Sequence, residues 1–299
     1  MKGILLAGGH GTRLAPLTNA VSKQLLPVYN KPMVYYPLSV LMLAGLRDVM
    51  IVTTPIHRAA FEATLGDGTR WGMSLTYAEQ DEPRGIAEAL LLNPEFHAGH
   101  PTCLVLGDNL IYGAGLRTIL TNARKRASEG GAVIFAHAVR NPSQYGVIEL
   151  DTDGNAVSIE EKPEQPRSQL AVPGLYFHDA RAAQFAGELK PSARGELEIT
   201  ELNRRYLADS SLHVERWSRG TAWFDAGTHE SLLEAQNFVQ SFEHRQGSMI
   251  ACPEEIAYRQ GWINRASLKQ LGEAIANPYG RYLLELADDP QAVPPEASA

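Results

Sequence analysis

The sequence has few of the features that mark secreted or membrane-inserted proteins. Its 299 residues include two cysteines, Cys103 and Cys252, which are too few for a disulfide framework or a cysteine metal site. No stretch approaches the roughly 20 apolar residues that a membrane-spanning helix needs. The first residues show no signal-peptide pattern. These absences predict a cytoplasmic protein that does not insert into a membrane.

Several catalytic motifs are also missing. None of the nine histidines falls in a His-Glu-x-x-His arrangement, and no Gly-x-Ser-x-Gly occurs. No glycine loop ends in Gly-Lys-Ser or Gly-Lys-Thr. These absences argue against a zinc protease, a serine hydrolase and a Walker-type ATP site. We therefore interpret the histidines as surface or packing residues.

Positive charge is in deficit overall, but not at the start of the chain. Lys and Arg total 27 against 34 for Asp and Glu, a net charge of −7, which argues against general nucleic-acid binding. No acidic residue precedes Asp48, whereas the same segment carries Lys2, Arg13, Lys23, Lys31 and Arg47. We predict that this segment receives a small polyanion. Chance is the alternative.

Apolar strand-like runs alternate with amphipathic segments in the first half. The predicted strands are Gly3–Ala7, Val49–Thr53, Leu75–Glu79, Cys103–Gly107 and Ala132–Val139. The predicted helices are Pro32–Leu46, Arg58–Leu65, Ile86–Leu92 and Leu116–Ser128. This alternation predicts an α/β fold with a Rossmann-like, mostly parallel mixed sheet covered by helices. Ligands of such sheets bind at the carboxyl ends of the strands.

The pattern changes after Asn141. Closely spaced strands are predicted at Gly146–Asp151, Ala156–Glu161 and Leu170–Phe177, which indicates an antiparallel insert forming one wall of a cleft. From Thr228 onward the chain is mainly helical. The predicted division is a core of residues 1–227, with halves at about 1–140 and 141–227, then a helical part at 228–288 and a disordered tail at 289–299.

A glycine-rich loop follows the first strand, with the sequence Gly8-Gly9-His10-Gly11-Thr12-Arg13-Leu14. Glycines let the backbone approach a phosphate, and their N–H groups can form an anion-binding concavity. Leu14 occupies the place where a dinucleotide fingerprint has a small residue, and the acid that such a site needs for the ribose is missing. The alternative is a turn with a backbone role only.

Two aspartates follow apolar stretches, Asp108 after Leu104–Gly107 and Asp225 after Trp223-Phe224. Magnesium favours carboxylates, with its other positions given to water and phosphate oxygens. Each aspartate alone could equally be a turn or capping residue.

A longer pattern surrounds the glycine loop. It comprises Gly8-Gly9-x-Gly11-Thr12-Arg13-Leu14-x-Pro16-Leu17-Thr18, Ser22-Lys23-Gln24-Leu25-Leu26-Pro27 and Asn30-Lys31-Pro32-Met33. The pattern resembles the signature of the sugar-phosphate nucleotidyltransferases. Further segments narrow the resemblance to the glucose-1-phosphate thymidylyltransferases, from Lys2 to about Leu286: Tyr145-Gly146, Glu160-Glu161-Lys162-Pro163, Val172-Pro173-Gly174-Leu175-Tyr176 and Pro191–Thr200.

The resemblance implies a Mg²⁺-dependent transfer of a thymidylyl group from dTTP to glucose 1-phosphate, releasing pyrophosphate. The product, dTDP-glucose, would lead to dTDP-rhamnose and other deoxysugars of surface polysaccharides. One alternative is the same chemistry with UTP or another sugar phosphate. Another is a non-catalytic nucleotide-sugar sensor, which would not need the full set of charges. A dinucleotide-dependent oxidoreductase is a distant third.

The resemblance also implies roles for individual residues. The catalytic set is Arg13, Lys23, Asp108, Lys162 and Asp225, with Asp108 and Asp225 as metal ligands. The nucleotide-binding set is Leu6, Gly8, Gly9, Gly11, Thr12, Arg13, Gln24, Gln80 and Gly85, in which the Gln80 amide could both donate to and accept from a pyrimidine edge. The sugar-phosphate set is Asn109, Tyr145, Gly146, Glu161, Lys162, Val172, Arg194 and Trp223. Glu196 and Glu198 are interpreted as residues that only begin a helix.

The C-terminal part is predicted to build a homotetramer and a regulatory site. Its apolar residues exceed what a terminal appendage needs, although they could instead pack on their own domain: Phe238, Val239, Phe242, Ile250, Ile256, Tyr258, Trp262 and Ile263. The resemblance implies an allosteric site for the feedback inhibitor dTDP-rhamnose. Its predicted residues are Arg219, Cys252, Glu255, Ile256 and Arg259.

Overall fold

A ten-stranded mixed sheet runs through the computed structural model, which describes residues 1–9 and 11–292. The strands are β1 (Lys2–Leu6), β2 (Pro27–Val28), β3 (Lys31–Pro32), β4 (Asp48–Thr53), β5 (Ser74–Glu79), β6 (Thr102–Leu106), β7 (Asn109–Gly113), β8 (Ala132–Ala138), β9 (Gly146–Leu150), β10 (Ala156–Glu161), β11 (Leu170–Val172), β12 (Leu175–His178), β13 (Leu212–Arg216) and β14 (Thr221–Asp225). The helices are α1 (Tyr35–Leu43), α2 (Pro55–Leu65), α3 (Pro94–His97), α4 (Leu116–Glu129), α5 (Ala182–Gly187), α6 (Ile199–Ala208), α7 (His229–Gln246), α8 (Pro253–Arg259), α9 (Arg265–Glu273) and α10 (Pro278–Asp288).

The predicted α/β architecture is confirmed. The five strands expected in the first half are β1, β4, β5, β6 and β8, each within one residue of the predicted bounds. β1 lies parallel between β4 and β6, and β5 continues the sheet beyond β4. β12 is inserted antiparallel between β6 and β8, and β13 pairs with β8 in parallel on its other side. The insert of β9, β10 and β11 is antiparallel, as expected.

Three predicted elements differ from the structure. The helix expected at Pro32–Leu46 is shorter, because Pro32 belongs to β3 and α1 spans Tyr35–Leu43. The helix expected at Ile86–Leu92 is a 3-10 turn over Ala87–Leu90. The single strand expected at Leu170–Phe177 is divided into β11 and β12 at Pro173-Gly174. Proline has no N–H to continue a ladder, and the two pieces have different partners: β11 pairs with β8 and β9, whereas β12 lies between β6 and β8. The insert therefore continues the ten-stranded sheet through β11.

The central strands are buried on both faces, so their side chains alternate between two cores. Leu5, Ile51 and Val105 contribute to one core, together with residues of α1, α2, α4 and the C-terminal helices. Their neighbours Ile4 and Leu104 contribute to the other core, with residues of α5 and α6. Both sheet faces are therefore covered by helices.

The C-terminal helices bury their own apolar residues. Val239, Ile250, Tyr258 and Ile263 are buried within the chain, and Phe238, Phe242, Ile256 and Trp262 pack against its cores. The expectation that these residues form surplus surface for a partner is therefore wrong, because the helices pack on their own domain. The homotetramer stays a prediction, and these apolar residues do not support it.

A buried ion pair fixes α7 to the segment that follows the glycine loop. Lys31 Nζ lies 2.7 Å from Glu243 Oε1, and Asn30 Nδ2 donates to Glu243 Oε2 at 2.7 Å. The Ile250 N–H also donates to Glu243 Oε1, at 2.8 Å. Several hydrogen bonds thus satisfy one buried carboxylate, as burial of a charge requires.

The end of the described chain is helical. Pro290–Ala292 forms a 3-10 turn, and Ala292 is buried. The rest of the predicted tail, residues 293–299, lies outside the described residues. No helix within residues 1–9 and 11–292 is long and apolar enough to cross a membrane.

His178 should make stability depend on pH. Its ring is fully buried on β12, where Asn203 Oδ1 lies 3.1 Å from Nε2, and burial lowers its pKa to about 4. The unfolded ring titrates near 6.5, so this contribution is complete above pH 6.5 and is lost as the pH falls towards 4. We expect the free energy of unfolding to fall between pH 7 and pH 5 by about 2 kcal/mol more in the parent protein than in His178→Phe.

Urea unfolding at both pH values measures the difference. The matched control is His244→Gln on α7, whose ring is exposed and which should show the parent's pH dependence. Equal falls in the parent protein and His178→Phe would contradict the prediction.

Candidate active site

The glycine loop lies between two side chains of the predicted nucleotide site. A Cβ added at Gly8 would lie 3.3 Å from Gln80 Oε1, and one added at Gly9 would lie 3.6 Å from Lys23 Cε. Gly11 has a left-handed φ of +64°, and its carbonyl accepts the Thr18 hydroxyl at 2.8 Å. The small residues therefore keep the loop backbone open beside an amide and a cation. His10 lies outside the described residues.

Lys23 connects this loop to the end of β6. The Gly107 N–H donates to the Leu6 carbonyl at 2.9 Å, which places the next residue, Asp108, beside the loop. Lys23 Nζ makes a short hydrogen bond to Asp108 Oδ2, and Asn109 Nδ2 donates to Oδ1 at 3.0 Å. Burial by itself would raise the pKa of Asp108, but the Lys23 ammonium and these hydrogen bonds lower it overall.

A two-stranded ribbon brings the second aspartate to the first. β7 pairs antiparallel with β14, with Asn109 opposite Asp225, and the Ala226 N–H donates to the Asp108 carbonyl at 3.0 Å. The sequence does not predict β7 or this pairing, because each strand is short and lies outside the main sheet. The two carboxylates are nevertheless brought together as predicted.

The negative charge of the Asp225 carboxylate is only partly compensated by neighbouring groups. Its Oδ1 is buried and has no hydrogen-bond partner among the described residues. Burial raises its pKa to about 6, and the nearby Asp108 charge adds to the effect, whereas Lys23, Arg13 and Lys162 oppose it. Two carboxylates therefore converge, one neutralised by an ammonium and one with an unpaired oxygen.

The Arg13 guanidinium lies close to the Asp225 carboxylate, beside Gly227. A Cβ added at Gly227 would lie 2.6 Å from Arg13 Nη2 and 2.9 Å from Asp225 Oδ1. The missing side chain leaves room for the guanidinium beside the carboxylate. Any larger residue at 227 would displace one of them.

A cavity of about 390 Å³ extends from these charges into the antiparallel insert. Most of the predicted sugar-phosphate residues line it, together with Arg13, Asp108 and Asp225: Asn109, Tyr145, Gly146, Glu161, Lys162, Val172 and Trp223. It is also lined by residues that the sequence analysis did not assign: Ile86, Leu106, Gln144, Gly174, Tyr176, Ile199, Thr200 and Asn203. Ile199, Thr200 and Asn203 share one face of α6, a spacing that could have indicated them.

Glu161 and Lys162 are each held in place by a hydrogen bond to a neighbouring residue of the cavity. Thr200 Oγ1 donates to Glu161 Oε2 at 2.6 Å, and the Lys162 N–H donates to the Tyr145 carbonyl at 3.0 Å. Lys162 has a positive φ of +43°, an uncommon conformation that persists where surrounding contacts impose it. Adjacent residues thereby present a carboxylate and an ammonium to one cavity.

Asn109 orients the neighbouring groups. Its Oδ1 accepts from the Gly174 N–H at 2.9 Å and from Trp223 Nε1 at 2.7 Å, while its Nδ2 donates to Asp108. Because one amide holds both side chains by hydrogen bonds, Asn109 positions Asp108 relative to Trp223.

Arg194 is not among the residues that line the cavity. Its Nη2 lies 2.8 and 3.0 Å from the two carboxylate oxygens of Glu198, 3.5 Å from Glu196 and 3.7 Å from Glu161. Glu198 does precede α6, as expected, but the interpretation that it only begins a helix is wrong, because its carboxylate binds Arg194. The predicted phosphate contact of Arg194 is not made by the residues that line this cavity and stays a prediction.

The predicted base-recognition residues lie at the other end of the loop. Gln80 is buried just after β5, and its Nε2 donates to Glu88 Oε2 at 2.5 Å. Gly85 follows with a φ of +109°, pressed against the Leu197 backbone where no Cβ would fit. Gln24 is also buried, and its Oε1 accepts the Ser22 hydroxyl at 2.7 Å.

The basic residues of the segment before Asp48, which is predicted to receive a polyanion, do not all lie at the site. Of its five basic residues, Arg13 and Lys23 lie at the site, but the others have other partners. Lys2 pairs with Asp48, Lys31 with Glu243, and Arg47 donates to the Gly72 carbonyl. Arg13 and Lys23 therefore remain as the basic residues of this stretch that could receive a polyanion, and that role stays a prediction.

The metal-ligating groups are few. Within residues 1–9 and 11–292, no group of three or more His, Cys, Asp or Glu side chains is arranged to hold a metal ion. Asp108 and Asp225 form a pair, which suits a cation that takes its remaining ligands from water and phosphate. The unpaired Asp225 Oδ1 fits such a cation.

Comparison with known proteins agrees with this geometry. The profile of the nucleotidyl transferase family matches residues 2–241. The chain belongs to the nucleotidyl transferase family. The match covers the glycine loop, both aspartates and the antiparallel insert.

Individual members of the family are similar over nearly the whole chain. A glucose-1-phosphate thymidylyltransferase of Xanthomonas campestris is 55% identical over 287 residues, which are 96% of this chain and 97% of the relative. One from Neisseria meningitidis is 55% identical over 96% of this chain and 99% of its own. A Bacillus anthracis structure assigned to the same activity, in complex with sucrose, is 39% identical with a TM-score of 0.72, over 80% of this chain and 94% of its own. The resemblance predicted from the sequence is confirmed.

A second cavity of about 320 Å³ shares no lining residue with the first. Four of the five predicted regulatory residues line it: Cys252, Glu255, Ile256 and Arg259. Arg219 does not line it but lies in the β13–β14 turn, beside Thr221, which pairs with the lining residue Gly113. The family-derived set is therefore largely brought together.

Replacing the two aspartates should have opposite effects on stability. In metal-free buffer at pH 7, Asp225→Asn should stabilise the fold by about 1 kcal/mol, because it removes an under-compensated buried charge beside Asp108. Asp108→Asn should destabilise it by about 1–3 kcal/mol, because it leaves the Lys23 ammonium without its partner.

Chemical unfolding with EDTA present measures both variants, and each is the matched control for the other. Shifts of the same sign would show that the two carboxylates are not compensated as described.

Proposed function

We propose that this enzyme transfers a thymidylyl group from dTTP to α-D-glucose 1-phosphate, giving dTDP-glucose and pyrophosphate. The observation that carries the proposal is the meeting of Arg13, Lys23, Asp108, Asp225 and Lys162 where the glycine loop joins the cavity. The names of its relatives supply the substrates.

The reaction needs alignment and charge neutralisation more than proton transfer. A sugar 1-phosphate is already an anionic nucleophile, and its oxygen attacks the α-phosphate as the pyrophosphate leaves. Arg13 would neutralise charge that develops on the pyrophosphate, and Lys23 would bind phosphate beside the loop. Lys162 would hold the sugar phosphate at the cavity rim. Such preorganised cations act mainly on the transition state.

Asp108 and Asp225 would hold Mg²⁺. The support is the convergence of two carboxylates and the buried, unpaired Asp225 Oδ1. When bound, the ion would supply neutralisation of phosphate charge. The chain's own contribution is to fix both carboxylates through Lys23, Asn109 and the β7–β14 ribbon.

The alternative substrates differ in the base or the sugar. Gln80 faces the loop where a base would lie, and thymine and uracil present it with the same imide edge. Glu161, fixed by Thr200, and the indole of Trp223 line the part of the cavity that would take the hexose.

An assay of pyrophosphate release across dTTP, UTP, dCTP and dATP, with several sugar 1-phosphates, tests the function. We expect the highest kcat/KM with dTTP and glucose 1-phosphate, and loss of turnover in EDTA that Mg²⁺ restores. Binding of nucleotide sugars without any release of pyrophosphate would instead favour the sensor. Preference for UTP or another hexose phosphate would favour the alternative substrate.

Arg13→Ala should lower kcat by on the order of 100-fold, with a smaller change in KM for dTTP, because the lost charge acts on the departing pyrophosphate. The matched control is Arg47→Ala, which removes an arginine that donates to the Gly72 carbonyl and should leave kcat near the parent value. A change in KM alone would make Arg13 a ground-state binding residue.

We also propose that the second cavity binds dTDP-rhamnose as a feedback inhibitor. Its support is chemical: Arg117 and Arg259 line the cavity, and the buried Ser39 Oγ at its wall has no hydrogen-bond partner among the described residues. Arginines suit the diphosphate, and an unpaired hydroxyl suits a base or sugar. The enzyme would act as a homotetramer, with effector and substrate affinities coupled reciprocally.

Arg219→Ala combined with Arg259→Ala should relieve inhibition by dTDP-rhamnose while kcat is retained. Initial rates with increasing inhibitor measure this, with Arg265→Ala on α9 as the matched control. Persistent inhibition that is strictly competitive with dTTP would place the inhibitor in the active site. Sedimentation velocity tests the assembly, and a monomer at micromolar concentration would contradict it.

A further inference from the structure

The side-chain amide of Gln80 is hydrogen-bonded to the carboxylate of Glu88, which lies outside the cavity. We propose that Glu88 is a specificity-determining positioning residue, which makes Gln80 present only its oxygen to the base. An acceptor at that position selects a pyrimidine that carries a proton on N3, as thymine and uracil do, over cytosine. The inference rests on the proposed function, because it assumes that the base lies against Gln80.

The hydrogen bond between the two side chains has only one possible polarity. Gln80 Nε2 lies 2.5 Å from Glu88 Oε2, and a carboxylate accepts hydrogen bonds but cannot donate them. The nitrogen of the amide must therefore face Glu88. Rotating the amide by 180° would set its oxygen against a carboxylate oxygen, with no proton between them. The second amide hydrogen has an acceptor nearby, the Gly85 carbonyl at 3.5 Å from Nε2.

Glu88 is itself held in place. It is 8% exposed, and its other oxygen, Oε1, accepts from Arg84 Nε at 2.7 Å. The neighbours of Glu88 in the 3-10 turn, Ala87 and Ala89, are fully buried. Arg84 therefore occupies one carboxylate oxygen and Gln80 the other, so the carboxylate cannot turn away from the amide without breaking an ion pair.

The backbone before Glu88 is fixed as well. The Leu197 N–H donates to the Arg84 carbonyl at 2.7 Å, and the Ala87 N–H donates to the Leu197 carbonyl at 3.1 Å. Gly85 lies between them with a φ of +109°, and a Cβ there would come within 2.4 Å of Leu197 backbone atoms. The segment from Arg84 to Glu88 is thus attached to the residues that lead into α6.

The oxygen of Gln80 is directed towards the glycine loop. This oxygen lies 3.3 Å from the position that an added Cβ would take on Gly8. The backbone N–H of Gln80 donates to the Thr53 carbonyl at 2.8 Å, which fixes the start of the side chain. Among the residues that the structure describes, none donates a hydrogen bond to Oε1. The side chain therefore offers the loop an unused acceptor and keeps its donors for Glu88 and Gly85.

This polarity gives a selectivity that a free glutamine lacks. An unrestrained amide could rotate and offer either a donor or an acceptor. With Glu88 in place, Oε1 can accept the N3–H of thymine or uracil, but it opposes the bare N3 of cytosine. Glu88 should therefore exclude cytosine and leave thymine and uracil undistinguished.

The test is a double-mutant cycle in which the measured quantity is the ratio of kcat/KM for dTTP to kcat/KM for dCTP. We would measure kcat/KM for dTTP and dCTP with glucose 1-phosphate in the parent enzyme, Glu88→Gln, Gln80→Ala and the double variant. Glu88→Gln keeps the shape of the side chain but can both donate and accept, so the Gln80 amide becomes free to rotate. The matched control is Glu188→Gln, which removes an exposed ion pair with Arg205 of 2.6 Å and lines neither cavity.

We expect Glu88→Gln to lower the dTTP-to-dCTP ratio of kcat/KM by about tenfold or more, with a rise in kcat/KM for dCTP itself. A purely structural role would lower both values together and leave the ratio unchanged. In the Gln80→Ala background the same substitution should not change the ratio, because no amide remains to be oriented. Glu188→Gln should keep the parent ratio.

An unchanged ratio in Glu88→Gln would overturn the proposal, as would an equal fall in the Gln80→Ala background. Should Glu88→Gln not fold, Glu88→Asp carries the same expectation, because the shorter side chain no longer reaches Nε2. A parent enzyme that does not use dTTP would contradict the proposed function instead, so the two failures are distinguishable.

Discussion

The ion pair between Lys23 and Asp108 joins the two halves of the site. Lys23 comes from the segment that faces the glycine loop, and Asp108 follows the end of the central strand β6 and lines the first cavity. Without this contact, a buried aspartate beside a second one would be strongly disfavoured. The ammonium makes it possible for two carboxylates to lie together, and the pKa values record the asymmetry, with Asp108 lowered and Asp225 raised to about 6. This unequal compensation leaves Asp225 Oδ1 without a hydrogen-bond partner among the described residues.

The fold supports this arrangement with short strands that lie outside the main sheet. The β7–β14 ribbon has five residues in each strand, yet it alone carries Asp225 to Asp108. Asn109 then binds across the ribbon to Trp223 and to Gly174, which follows the proline that divides β11 from β12. Charge placement and the shape of the cavity therefore depend on the same few hydrogen bonds.

The central sheet could be predicted because its signal is local. Five apolar runs bounded by polar residues gave β1, β4, β5, β6 and β8 within one residue. The division at Pro173 follows from its missing N–H, but the sequence does not show which strands receive the two pieces. The ribbon was missed because a pairing between residues more than a hundred positions apart leaves no periodic signal.

The site was predicted from a motif, and the partners of its residues were not. The resemblance named Gln80 and Arg194, but a sequence cannot show that Glu88 binds one and Glu198 binds the other, because both contacts depend on tertiary packing. Likewise, the sequence places Lys31 in a cationic segment, whereas in the structure it is buried and pairs with Glu243. For the same reason, the apolar residues after Thr228 could not be divided between an interface and a core.

The Glu243 carboxylate has a further consequence. It accepts hydrogen bonds from Asn30 and Lys31, a few residues beyond Lys23, and from the backbone of Ile250, which lines the second cavity. A molecule that displaces the backbone at Ile250 must either break that hydrogen bond or move Glu243 with it. In the second case, Asn30 and Lys31 must move as well, because both are bound to the same carboxylate. Glu243 therefore joins the wall of the second cavity to the segment that follows Lys23.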